Sequence, residues 1–406
     1  MSPEDGLELG GDAREVLALR DVELDWYSAT GYRAIMIDHT RWQNVPVPHV
    51  AFVGYDVASE EDAAVLAQAS FNLTACGLDR GSEAHCVAFF PDGFLWSGQH
   101  VAVPAVVAAG NGTRGSIYAA YALAEHVLGA NPWWRFAEDG RPPYRGSQFS
   151  VAMRSDLVWA PPAFQYRAWF HNDEELLGFF ARDPMGEEVF DAATVDALCE
   201  TLLRAKGNAL LFGTTPYPDE NSLRLVGRRG ISIVAGQHFT PLQFNAFQYY
   251  QALGGTKLWD WRGHPDLMAH VLKASAQSVA RAAEGPFGGG TGPEILWSIG
   301  LRGLNDYAYS GTGHCTGDAD CAEQINTCMA NQTKWVRDIR PASSNTDLFL
   351  YCLWAESLGY YDKGLLQIPA DAKILFTDGG AGKIDGLRPI ADGVYFHLQY
   401  LNGGAG

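Results

Sequence analysis

Six polar clusters in this 406-residue chain follow short apolar runs, and their side chains are those of acid–base chemistry. His171, Asn172 and Asp173 follow Phe170; Gln237 and His238 follow Ala235; Arg302 follows Leu301; Trp354 and Glu356 follow Leu353; Asp378 follows Thr377; His397 and Tyr400 end the last run. Asp173 and Glu356 are the candidate pair for cleaving a glycosidic bond, where one carboxyl protonates the leaving oxygen and the other activates water or attacks carbon. Arg302 has the fork to grip a substrate carboxylate through two parallel hydrogen bonds, and Trp354 offers a flat face for a sugar ring. At any one position a loop beginning or helix cap explains the residue equally well; Glu174 and Glu175 read as first-turn residues that complement a helix dipole. Six coincidences favour a shared pocket. No Gly-x-Ser-x-Gly elbow stands beside a suitable His and no His-Glu-x-x-His occurs, so a serine hydrolase or zinc protease lacks support.

The elements that must position these residues are seven apolar runs, at 166–170, 209–212, 231–235, 295–299, 349–353, 374–376 and 394–398. Helical patterns or long connections separate most of them. The clearest helix is capped by Asp191, carries Val195, Leu198, Leu202 and Leu203 on one face and ends at Gly207; another begins at Pro265. Strands alternating with helices imply parallel pairing, in an open doubly wound sheet or a closed (β/α)8 barrel. In a barrel the C-terminal strand ends converge on one mouth. Seven runs are one short of that count, so the expected fold class is α/β: a small N-terminal α/β domain at 1–138, an irregular connection at 139–162, and a TIM-type barrel at 163–406 lacking its last strand.

The N-terminal part reads as a helix at 60–71, a strand at 87–90 and a buried strand at 101–109 running into the turn Gly110-Asn-Gly-Thr-Arg-Gly115. A helix then starts with Ser116 as its N-cap and closes at Gly129. A phosphate loop has this order, but its lysine and spaced glycines are missing, which favours a structural turn.

Hydrophobic residues make up 47% and charged residues 19%, a globular composition, while the formal charge of −18 is the wrong sign for a broad nucleic-acid or anionic-membrane surface. Twelve Trp and seventeen Tyr suit sugar rings as well as a large core. The longest apolar stretch, 101–109, is about half a membrane span and contains Pro104. The acidic N-terminus shows no signal peptide, so the protein is intracellular or its true start is missing. Cys315, Cys321 and Cys328 in a polar segment read as an insertion stapled by one short disulfide; His314 beside Cys315 raises a metal, but no second ligand pair follows. With glycosylation acceptors at Asn72, Asn111 and Asn331, these signals lean toward an extracellular, secreted protein.

Several stretches together resemble glycoside hydrolase family 115, the xylan α-1,2-glucuronidases: Gly112-Thr-Arg-Gly-Ser-Ile-Tyr118, Asn131-Pro-Trp-Trp134, Tyr166-Arg-Ala-Trp-Phe-His-Asn-Asp-Glu174, Glu200-Thr-Leu-Leu-Arg-Ala-Lys-Gly-Asn208, Gly300-Leu-Arg-Gly303, Glu356 with Gly359-Tyr-Tyr-Asp-Lys-Gly-Leu365, and Gly393-Val-Tyr-Phe-His397. The resemblance implies an N-terminal α/β domain and a catalytic (β/α)8 barrel that removes glucuronic acid or its 4-O-methyl ether from xylan, with inversion and without metal or cofactor. It implies catalytic roles for Asp173 and Glu356, leaving open which is acid and which is base, and a uronate pocket lined by His238, Arg302, Asp378, Tyr395 and His397. The implied partner is a polysaccharide or oligosaccharide bearing uronic acid, with no nucleic acid and no membrane; a homodimer is allowed. The sequence departs from the family pattern at Thr240, where a glutamate is usual, at Trp354 in place of tyrosine, at Gly380 in place of an amide residue, and in stopping soon after the seventh run. A noncatalytic carbohydrate-binding remnant and a glycosidase of shifted specificity therefore stand as alternatives.

Overall fold

The computed structural model describes residues 13–34, 50–69, 75–137, 140–146, 156–171, 191–211, 217–284, 293–341, 347–378, 384 and 392–397. The chain folds into two compact units, and the first is discontinuous: Met1–Arg167 with Asp196–Asn208 and Arg228–Ile231.

In the first unit, helix α1 (Ala13–Thr30) precedes β1 (Val50–Asp56), α2 (Glu60–Gln68), β2 (His85–Phe90), the hairpin β3 (Phe94–Trp96) and β4 (Gln99–Val101), β5 (Ala105–Gly110), α3 (Gly112–Leu123) and β6 (Leu157–Trp159). The sheet order is β1-β5-β2-β6, with β1 parallel to β5 and β2 antiparallel to both its neighbours. Its core includes Leu66, Leu78, Phe94 and the stacked pair Phe52 and Trp96, 5.8 Å apart. Pro104 splits the expected strand at 101–109 into β4 and β5. Strand β6 lies within the stretch expected to be irregular.

The Gly-rich turn is structural. A β-carbon on Gly110 would stand 1.9 Å from the Gly115 carbonyl carbon, so only glycine lets α3 sit this close to β5. The Gly112 N–H donates to the Asp56 carboxylate at 2.7 Å, placing a side chain of the same chain where a phosphate would bind. Helix α3 begins at Gly112, four residues before the expected cap; Ser116 is buried and donates its hydroxyl to Glu15.

Helix α1 escapes a hydropathy reading because Glu15, Asp21 and Asp25 are buried. Arg204 pairs with Asp25 at 2.6 Å and with Glu200 at 2.8 Å, Arg141 pairs with Asp25 at 2.9 Å, and Arg229 pairs with Asp21 and Asp196. Burial pushes the Glu200 carboxyl upward, but Arg204 and Arg135 outweigh it and hold the group at about 2.

The second unit comprises Ala168–Val195, Ala209–Gly227 and Ser232–Gly406. Its strands are β7 (Ala168–Phe170), β8 (Ala209–Leu211), β9 (Ser232–Ala235), β10 (Ile295–Ser298), β11 (Leu348–Leu353), β12 (Ala372–Thr377) and β13 (Gly393–Tyr395). All seven expected runs are strands, and they pair in parallel in chain order. Among the described residues, the helices between them are α4 (Ala192–Arg204), whose last nine residues belong to the first unit, α5 (Glu220–Arg228), α6 (Ala246–Ala252), α7 (Pro265–Glu284), α8 (Gly317–Ile339) and α9 (Glu356–Asp362). Strands β8, β9 and β10 are buried along their length, as expected in a parallel sheet covered on both faces. The rings of Phe170 on β7 and Tyr395 on β13 lie 5.9 Å apart, so the sheet curls until its first and last strands meet through side chains. The structure is thus α/β with a curled, barrel-like parallel sheet. The short disulfide joins Cys315 to Cys321, Cys328 is a buried thiol, and His314 faces Asp260 at 3.3 Å. Among the described residues no helix is long and apolar enough to cross a membrane.

Candidate active site

The residues after β9 to β13 meet in one cluster. The turn after β10 is held from several sides. Gly300, at φ +143°, takes a backbone conformation that favours glycine, and the buried Gln332 amide both accepts from its N–H and donates to its carbonyl, each at 2.8 Å. The Trp259 indole N–H donates to the Arg302 carbonyl at 2.7 Å, and a β-carbon on Gly303 would stand 2.7 Å from the Ala308 carbonyl oxygen. Arg302 is consequently fixed, and it is buried.

Its guanidinium meets Glu356 as a fork, Nε to Oε1 at 2.9 Å and Nη2 to Oε2 at 3.0 Å, while Nη1 donates to Asp306. The fork expected to grip a substrate carboxylate is here engaged by two of the protein's own. Asp306 also meets His238 Nε2 at 2.8 Å. Burial lifts the Asp306 carboxyl, but His238 and Arg302 prevail and hold it below the usual range. Burial lowers the His238 pKa despite Asp306. Its Nδ1 is buried and has no hydrogen-bond partner among the described residues.

His238 itself is carried by a tight turn. Gly236 lies at φ +101°, and the buried Thr240 hydroxyl accepts from the Gln237 N–H at 3.0 Å. Thr240 thus serves the turn.

The aromatic side of the cluster is continuous. Trp354 stacks on His238 at 5.2 Å and 27°, and meets His397 at 5.2 Å; Tyr395 packs edge-on against His397 at 5.1 Å and against His238 at 6.0 Å. The buried Asp378 carboxylate accepts from the His397 backbone N–H at 3.1 Å and bonds its Nδ1. Glu356 opens α9 directly after Ala355, a non-glycine residue at φ 49° and ψ −117°.

The structure therefore brings together Glu356, His238, Arg302, Trp354, Asp378, Tyr395 and His397. Asp173 lies outside the described residues, as do Gly380 and Tyr400. Asp306 went unrecognised in the sequence; its one signal is a carboxylate four places after an arginine that follows a strand. The arrangement supplies carboxylates, imidazoles and flat rings at strand ends, a set suited to general acid–base chemistry on a polyol.

The family model for glycosyl hydrolase family 115 matches residues 160–405. The chain belongs to this family. Among solved structures, this family-115 chain is similar to a 4-O-methyl-α-glucuronidase of the same family with specificity for decorated arabinogalactans, at 19% identity and TM-score 0.72, over 97% of this chain and 48% of that one. The chain thus spans about half the length of that relative. A family 89 glycoside hydrolase from Clostridium perfringens in complex with GlcNAc-α-1,4-galactose aligns at 11% identity and TM-score 0.43, over 92% of this chain and 40% of that one, too low a similarity to argue from. No curated protein matches the sequence.

Proposed function

We propose that this family-115 chain is a glycosidase that releases glucuronic acid, or its 4-O-methyl ether, from α-1,2-linked positions on xylan or a related polysaccharide. The observation that carries this reading is the joint engagement of Arg302 by Glu356 and Asp306 beside His238, at the C-terminal ends of parallel strands. The reaction is an inverting hydrolysis: water attacks the anomeric carbon as the glycosidic C–O bond breaks, one carboxyl taking the water's proton and the other protonating the departing sugar oxygen. Glu356 is one member of the pair, and Asp173 is the other by resemblance. A second assignment replaces Asp173 with Asp306, favoured by its depressed pKa and half-exposed side chain. His238, Trp354, Tyr395, Asp378 and His397 line the uronate pocket. The seven strands belong to a (β/α)8 barrel, preceded by a small α/β domain. The Cys315–Cys321 disulfide supports an extracellular setting.

The test is release of uronic acid from aldouronic oligosaccharides by Glu356→Gln, Asp173→Asn and Asp306→Asn. Each member of the pair should cost about 10²–10⁴-fold in kcat. A substrate with an activated leaving group should spare the variant of the acid and not that of the base. Full turnover by Glu356→Gln would overturn the assignment, and binding without turnover by the unmodified chain would establish the noncatalytic alternative.

A further inference from the structure

We propose that the C-terminal end of α1 and the segment sewn to it form a surface site for a polysaccharide chain carrying acidic sugars, a site with no part in the chemistry. The proposal rests on the reading of the chain as acting on such a polymer. Tyr27, Tyr32 and Tyr144 are 47%, 62% and 65% exposed, which leaves three phenol rings in water. They share one place in the fold. The Ser28 hydroxyl donates to the Pro142 carbonyl at 2.7 Å and the Arg145 N–H donates to the Ala29 carbonyl at 2.8 Å, so residues 142–145 run beside 28–31. Gly31, at φ +76°, ends the helix; its N–H donates to the Tyr27 carbonyl at 2.8 Å, and a β-carbon there would stand 3.1 Å from the Tyr144 ring. The Tyr32 N–H donates to the Thr30 hydroxyl at 3.1 Å. Fixed backbone under each ring means that little ordering remains to be done on binding.

The chemistry selects the occupant. Tyrosines present flat faces that pack on the C–H faces of pyranose rings and hydroxyls that stay wet, whereas an aliphatic patch would suit an apolar protein surface. One exposed arginine flanks the rings. Arg33 lies 5.6 Å over Tyr27, its side chain 67% exposed and paired with Glu23 at 3.9 Å. In a chain of net charge −18 this arginine is complementary to a uronate carboxylate.

The experiment is affinity electrophoresis in gels containing glucuronoxylan, with Tyr32→Ala/Tyr144→Ala and Arg33→Gln variants. The double variant should lose retardation by about tenfold in apparent affinity. Arg33→Gln should weaken binding to glucuronoxylan and leave binding to unsubstituted xylan unchanged. Both variants should hydrolyse short aldouronic oligosaccharides at the parent rate while losing activity on the polymer. Unchanged retardation of the double variant overturns the proposal. So does a shift from dimer to monomer in light scattering with unchanged retardation, which would make the patch an interface between copies. Because retardation is read without turnover, a chain inactive on oligosaccharides would defeat the proposed function and leave this result legible.

Discussion

Arg302 and Glu356, 54 residues apart in sequence, face each other through two near-parallel hydrogen bonds of 2.9 and 3.0 Å. A lysine places a point charge where the fork now stands and cannot make both bonds. Arg302→Lys should therefore lower kcat by about 10²-fold or more through misplacement of Glu356, with a smaller change in KM. Steady-state kinetics on an aldouronic oligosaccharide reads this directly, and a parent-like kcat would show that the pairing does not orient the carboxyl.

Ala355 holds φ 49° immediately before Glu356. Glycine adopts that conformation without the steric cost of a β-carbon, which is about 1–3 kcal/mol, and gives back part of it as unfolded-chain entropy. Ala355→Gly should raise stability by about 1 kcal/mol in urea unfolding. A loss of stability would mean that the backbone there is unstrained.

Arg204 is the shared partner of Asp25 and Glu200, both buried. Arg204→Met leaves two carboxylates short of a cation and should destabilise the first unit by about 3–5 kcal/mol. Adding Asp25→Asn and Glu200→Gln should recover part of that loss, since neutral amides no longer demand a charge. A single variant as stable as the parent would show that Arg141 and Arg135 suffice.

His85 stacks on Trp159 at 4.9 Å, and burial lowers its pKa to about 4. The folded value lies below the unfolded one of about 6.5, so its contribution to stability is complete above that pH and is lost as pH falls through about 4. The loss over this window is on the order of 3 kcal/mol. In His85→Phe the slope of stability against pH between 6.5 and 4 should flatten, as read by urea midpoints; an unchanged slope would assign it to other groups.

The seven strands of the second unit were legible because a buried parallel strand is a short apolar run bounded by polar residues, a local property of the chain. The polar residues at their ends were legible for the same reason, and Glu356, His238, Arg302, Trp354, Asp378, Tyr395 and His397 do lie together. Helix α1 was not legible, since its inward face carries Glu15, Asp21 and Asp25; the Ser116 hydroxyl donates to Glu15, and arginines at 141, 204 and 229 offset the burial of the two aspartates.

By itself, then, the sequence determined which segments become strands and which side chains stand at their ends. Only the tertiary structure decided which of them meet. Asp306 joins His238 to Arg302 through a left-handed turn at φ 64° that no residue pattern announces. Residues 196–208 and 228–231 join the first unit because buried carboxylates in α1 bind their arginines. Pairings of this kind depend on charges brought together across 54 to 208 residues of chain, and local periodicity carries no information about them.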